Sequence, residues 1–240
     1  AGAAGAAELE EGITAAAGAG EGESQSAAQS AAAAAAYVSP REGTPAASLL
    51  RALDSSPSLR ALDLRGNPLG VLGGRALAGM LFGGRVAVES IRVSSGALPI
   101  APLWNNMLVE LDLSYQGLRA EDAIVLGSIL ERNASVEVLK LAGNFLSWTD
   151  GPDPARRRQH TRDGIEALCA GLARRRVGVL RVLNLRDNSI AATGLRHVLR
   201  AVRKSTAFKE LSLDLGGNIL VANHIDEYGM QGETDLSGVE

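Results

Sequence analysis

Leu180 to Val202 reads LRVLNLRDNSIAATGLRHVLRAV, and its spacing decides the fold. Leu180, Leu183 and Leu185 come first, with the apolar alternation of a strand. Asn188 and Ile190 follow in a turn. Gly194, Val198 and Val202 then recur at the i, i+4 spacing that lines one face of a helix. One unit therefore holds a strand, a turn closed by an asparagine, and a helix.

The same offsets recur along the chain. Leu59, Leu62, Leu64, Asn67, Leu69, Gly73, Leu77 and Leu81 match without exception. Leu108, Leu111, Leu113, Gln116, Leu118, Asp122, Leu126 and Leu130 match with Gln in place of Asn and Asp in place of Gly. Val136, Leu139, Leu141, Asn144 and Leu146 give a strand half whose helix half arrives late, at Gly164, Leu168 and Leu172. Val88, Ile91, Val93, Gly96 and Leu98 give a strand half only, because Pro99 and Pro102 interrupt what would be its helix. An extended connection is predicted there, with Trp104 covering the gap. Phe208, Leu211, Leu213, Leu215, Asn218 and Leu220 form a last copy with extra residues before the Asn, so its register stays open.

Self-similarity at a period of about 28 residues is the signature of a repeat architecture. The units resemble leucine-rich repeats of the ribonuclease-inhibitor-like type. The resemblance implies an α/β leucine-rich repeat solenoid of about six units, with a curved parallel sheet on the concave side and helices on the convex side. Elementary chemistry agrees. A single unit cannot bury its own leucines, so units stack into one core. Asn67, Asn144 and Asn188 sit where the chain leaves the strand. Their amides can donate and accept, and are predicted to be buried and bonded to backbone groups. Short parallel strands are predicted near 62–64, 91–93, 111–113, 139–141, 183–185 and 211–215, in one sheet. Helices are predicted over 71–83, 120–132, 164–176 and 192–204.

The organisation has three parts. Residues 1–43 are a low-complexity Ala/Gly-rich arm, expected to be disordered or partner-bound. Residues 44–220 are the repeat domain, with an insertion over 147–163 that Gly151, Pro152 and Pro154 mark as a loop. Residues 221–240 are an acidic cap or tail. The single cysteine, Cys169, excludes a disulfide framework, and the expected setting is reducing, intracellular and cytoplasmic. No membrane span is expected.

Charge is unevenly spread. Residues 1–154 carry a net of −7, residues 155–210 a net of +10, and residues 211–240 a net of −6. The insertion supplies Trp148, Arg156, Arg157, Arg158 and Arg162, and the next helix ends in Arg174, Arg175 and Arg176. Arg196, Arg200, Arg203 and Lys204 lie one unit further on. Stacking is expected to bring these groups together as a docking surface for an acidic protein partner. Asp63, Arg65, Arg92, Asp112, Lys140, Arg186 and Asp214 are expected on the concave face. His160, His197 and His224 show no metal-ligand spacing, and no cofactor or catalytic set is expected. The resulting expectation is a non-catalytic protein–protein interaction module or scaffold, as a structural subunit of a larger assembly. Two alternatives follow. The resemblance extends to the Ran GTPase-activating protein, which implies regulation of a small GTPase. The basic 155–210 segment suggests RNA or another polyanion, although it lacks the aromatic platforms on which single strands stack.

Overall fold

The computed structural model describes residues 58–82, 87–149, 158–208 and 210–219, all within the unit Tyr37–Glu240. The expectations for residues 1–43, for Arg156 and Arg157, and for residues 221–240 lie outside the described residues. In order, the elements are β1 (Ala61–Asp63), α1 (Gly70–Phe82), β2 (Ser90–Arg92), β3 (Leu98–Pro99), α2 (Ile100–Trp104), β4 (Glu110–Asp112) and α3 (Ala120–Leu130). They continue with β5 (Val138–Lys140), β6 (Trp148–Thr149), β7 (Gln159–His160), α4 (Asp163–Arg174), β8 (Val182–Asn184), α5 (Ala192–Lys204) and β9 (Ser212–Asp214).

The repeat offsets become spatial register. Leu62 lies beside Ile91 in the parallel pair β1–β2. Leu111, Leu139, Leu183 and Leu213 lie side by side across β4, β5, β8 and β9, which also pair parallel. This settles the last copy: Leu213 aligns with Leu183, so the unit is continuous and carries no extra residues before Asn218. Inward leucines and their helical counterparts form one apolar cluster, including Leu77, Leu111, Leu126, Leu139, Leu168, Leu183 and Val198. Each such side chain contributes about 1.5–3 kcal/mol when fully buried.

The strands do not form the expected single sheet, and no continuous solenoid runs through the described residues. β1, β2 and β3 form one sheet, while β4, β5, β8 and β9 form another. Nor is the segment after β2 an extended connection. β3 folds back antiparallel onto β2, pairing Ile91 with Leu98, and the short helix α2 follows. Pro99 and Pro102 limit this helix to a single turn and a little more, and Leu98, Ile100 and Leu103 fill the core there. Trp104 is half-buried against that core. With so short a helix in the second unit, α1 packs directly on α3: a Cβ on Gly74 would lie 3.0 Å from the Cα of Glu121.

Side chains bridge the seam between the two sheets. The Ser94 hydroxyl donates to Oδ2 of Asp122, which also accepts the backbone N–H of Arg119 at 2.8 Å. Asn133 donates to the Leu103 carbonyl at 2.7 Å, and Asn106 accepts the N–H of Ala134 at 2.6 Å. Asp122 stands where other units have glycine. Its departure from the repeat therefore marks the seam.

Candidate interaction surface

The exposed face of each strand follows from the period-two alternation that buries the leucines. Asp63 lies beside Arg92, and Asp112, Lys140, Asn184 and Asp214 lie in one row across the second sheet. Most members of this row also shape the turns. Asp63 accepts the N–H of Arg65 at 3.1 Å, Asp112 that of Ser114 at 2.9 Å, Asn184 that of Arg186 at 3.0 Å, and Asp214 that of Gly216 at 2.9 Å. These are Asx turns, a local role that recurs at the same repeat position and that the charge reading missed. Arg65 binds the Asp63 carboxylate through Nε and Nη2 and thereby holds its pKa down to about 2. The N–H of Ser114 holds Asp112 below the usual carboxylate range as well. Lys140 pairs with Glu110 at 2.6 Å, and Arg186 with Asp187 at 3.2 Å.

The turn edge carries a second feature. Three residues past the row, the chain takes a left-handed conformation at Gly66, Tyr115, Gly143, Asp187 and Gly217. The Tyr115 ring lies over Gly143, where a Cβ would come within 2.2 Å of it. Asp187 likewise occupies the space over Gly217.

The asparagines tie neighbouring turns together. Asn144 donates to the carbonyls of Leu113 and Leu141, both at 2.9 Å, and accepts the N–H groups of Gln116 and Leu118 at 3.1 and 3.0 Å. Asn188 donates to Leu141 at 2.8 Å and Leu185 at 3.1 Å. Asn218 repeats the arrangement one unit on, accepting the N–H groups of Asn188 and Ile190. Asn67 departs from expectation. It is exposed and donates within its own turn, to Leu64 at 3.0 Å. The residues that would precede it in such a ladder lie outside the described residues.

The insertion is rooted as a hairpin rather than a plain loop. Trp148 and Thr149 pair antiparallel with His160 and Gln159. The Trp148 and His160 rings meet edge to face at 5.3 Å, and Nε2 of His160 lies 2.9 Å from the Ser189 carbonyl in the next unit's turn. Arg158 lies over the Phe145 ring at 5.3 Å. The hairpin root thus borders the turn edge of the strand face.

That position corrects the expected convergence of arginines. Arg158 and Arg162 precede α4, whereas Arg174, Arg175 and Arg176 lie at its far end, about 18 Å along a helix of this length. Arg175 is not a surface residue at all. It is buried, and it donates to the carbonyls of Asn133 at 2.9 Å and Val136 at 3.0 Å. Its alkyl stem and two donors suit it to satisfying the end of α3. Arg174 pairs with Glu131 at 3.0 Å, and Arg176 is exposed. On α5, Arg196, Arg200 and Arg203 fall at i, i+4 and i+7 on one exposed stripe and have no acidic partner among the described residues.

Other chemistry is confined. Cys169 is buried, and desolvation pushes its thiol up to about 12. Asp122 is buried beside Glu121, and desolvation, only partly offset by its bonds to Ser94 and Arg119, raises it to about 6. A shallow cleft at the seam, lined by residues including Asn67, Ser94, Arg119 and Glu121, has room for about one water molecule, far short of a small-molecule site. No cluster of three or more metal-ligating side chains forms among the described residues. No helix among them is long and apolar enough to cross a membrane.

Comparison with known proteins agrees with the register. A family model described as "Leucine Rich repeat" matches residues 55–78 and 179–197. Among solved structures, leiomodin-1 actin-binding site 2 is similar at 19% identity, with a TM-score of 0.39. That match covers 50% of this chain and 62% of the other. The first family match holds Leu59 to Leu77 and the second holds Leu180 to Gly194, the two stretches whose offsets agree most fully. These two stretches of the chain are thus similar to leucine-rich repeats.

Proposed function

We propose that the chain is a non-catalytic protein–protein interaction module, acting as a scaffold or structural subunit, with repeats of the ribonuclease-inhibitor-like type. The observation that carries this reading is the exposed strand face. Asp112, Lys140, Asn184 and Asp214 stand in register on a rigid backbone, bordered by exposed aromatic residues and the hairpin root. Such a face offers charge pattern and shape over several units, which is what partner recognition uses. The buried single cysteine fits a reducing, intracellular setting.

The test is affinity capture on the immobilised chain from native extract, beside a Lys140→Glu variant. Lys140 pairs with Glu110 and stands 3.9 Å from Asp112, so the exchange puts three carboxylates together on the exposed face. The variant is expected to fold and to lose the specifically captured proteins. Identical capture by both forms sinks the reading.

The α5 stripe favours a second reading, binding of a polyanion such as RNA. Its three arginines have no acidic partner among the described residues, and phosphate contacts would make binding fall steeply with salt. A salt titration of RNA binding, compared between the parent and an Arg196/Arg200/Arg203→Ala triple variant, separates it from the first.

A further inference from the structure

We infer that Tyr115 anchors a binding site at the turn edge of the strand face, and that its occupant is a protein segment presenting a carboxylate beside an apolar side chain. This rests on the interaction-module reading above and names where that module grips.

Two independent observations single out Tyr115. The first is its backbone. Of the five left-handed turn positions, three hold glycine, Gly66, Gly143 and Gly217, with φ between 66° and 80°, and one holds Asp187, a residue type that tolerates this backbone far better than an aromatic. Tyr115 holds φ at 57°, in the left-handed region that a bulky side chain disfavours. Glycine would serve the turn equally, because the only backbone bond Tyr115 supplies is its N–H to the Ala142 carbonyl at 2.8 Å. The second observation is exposure. The side chain is 74% exposed, so burial does not offset the unfavourable backbone. A strained residue whose ring is left in water makes sense when something else covers the ring.

The neighbours define what that something is. Phe145, 40% exposed, lies two residues beyond the Gly143 that Tyr115 covers. Arg158 stands over Phe145 and has no acidic partner among the described residues. An apolar plate beside an unneutralised guanidinium fits an apolar side chain next to a carboxylate, and Tyr and Arg are the residues on which protein interfaces concentrate their affinity. Nucleic acid bases could also stack on such rings, but a strand brings a run of phosphates, whereas Arg158 is a single guanidinium beside them and suits one carboxylate.

The experiment selects binders to the full chain from a random peptide library displayed on phage, then titrates enriched synthetic peptides by fluorescence anisotropy. Variants are Tyr115→Gly, Tyr115→Asn and Tyr115→Phe. The expected peptides combine Asp or Glu with an aromatic or aliphatic residue and bind Tyr115→Phe like the parent. They lose about tenfold or more in affinity for Tyr115→Gly and Tyr115→Asn. Both weak binders should melt at or above the parent's temperature, because the left-handed backbone suits Gly and Asn better. Equal binding by Tyr115→Gly overturns the assignment. If Lys140→Glu abolishes binding and Tyr115→Gly does not, the module reading stands and the Tyr115 site falls. If no peptide enriches, both fall.

Discussion

The two sheets are built from the same repeat, yet one runs through four parallel strands and the other has only two parallel strands before β3 turns back on β2. In the longer sheet the turns after β5, β8 and β9 each have an asparagine that reaches back to the preceding unit, and α3, α4 and α5, which follow β4, β5 and β8, each have at least eleven residues. At the seam both features fail together. Gly96 and Gln116 stand at the asparagine position of the second and third units, and α2 has only five residues. No backbone ladder joins β2 to β4, and Ser94, Asp122, Asn106 and Asn133 make the connection instead. The contrast teaches that leucine spacing buries a core, whereas asparagines and full helices align the sheet.

The sharpest way to break this contrast uses the helix contacts. In the regular half, a Cβ on Gly171 would lie 2.0 Å from the Gly127 carbonyl oxygen. Across the seam, a Cβ on Gly74 would meet Glu121 at 3.0 Å. Gly171→Ala is expected to cost about 3 kcal/mol, since backbone must move, and Gly74→Ala about 1 kcal/mol. Urea unfolding measures both. Equal costs would show that the two halves pack alike.

Asp122 gives the seam a pH dependence of its own. Its pKa rises from an ordinary 3.8 to about 6 on folding because burial penalises the charged form. Between those values the folded state binds the extra proton. Stability is therefore full below about pH 3.8 and is lost as pH rises through 6, by on the order of 3 kcal/mol. Asp63 acts in the opposite direction: lowered to about 2, it favours the folded state above 3.8 and loses that contribution as pH falls through 2. Asp122→Asn should flatten the pH 4–6 segment of the stability profile. An unchanged slope would mean the carboxylate is not the group responsible.

Asparagines provide the next comparison. Asn188→Ala takes the acceptor from the buried Leu146 N–H and one of two donors from each of the Leu141 and Leu185 carbonyls, and is expected to cost about 2 kcal/mol, whereas exposed Asn67→Ala costs about 0.5 kcal/mol. Thermal unfolding of the two variants decides whether neighbour-to-neighbour bonding is what matters. Equal shifts would reduce both asparagines to local turn formers.

These differences mark how far the residues alone could be read. Leucine and valine offsets placed α1, α3, α4 and α5 within two residues of their observed ends, because a buried face repeats at a fixed period, but gave no sign of α2. Gln116 and Asp122 were visible as departures, but their consequence was not, since a sheet break depends on bonds between residues far apart in sequence. Arg175 read as one of three surface arginines; only the path of the turn at Asn133 to Val136 makes it an interior donor. Tyr115 stood out only against the glycines at positions 66, 143 and 217, and such a position advertises its left-handed backbone only once the register is known. The arginine groups are adjacent in sequence and separated in space by the length of α4.

The smallest expected effect tests the seam most directly. Asn106 holds φ at 54° and accepts the Ala134 N–H at 2.6 Å, so it joins the end of α2 to the turn after α3. Asn106→Gly keeps the left-handed backbone at lower conformational cost in the folded state and removes the side-chain acceptor. The lost hydrogen bond and the relieved backbone oppose each other, leaving global stability within about 0.5 kcal/mol of the parent. The local consequence should be larger than the global one. Hydrogen exchange at Ala134 is expected to speed up, while amides of β5 and β8 hold their protection, because those strands are joined by their own backbone ladder. If exchange rises equally in both places, the seam and the regular sheet open as one unit, and the distinction between them is geometric rather than energetic. If exchange at Ala134 is unmoved, the seam is held from the β2 side, by Ser94 and Asp122, and Asn106 serves only its own turn.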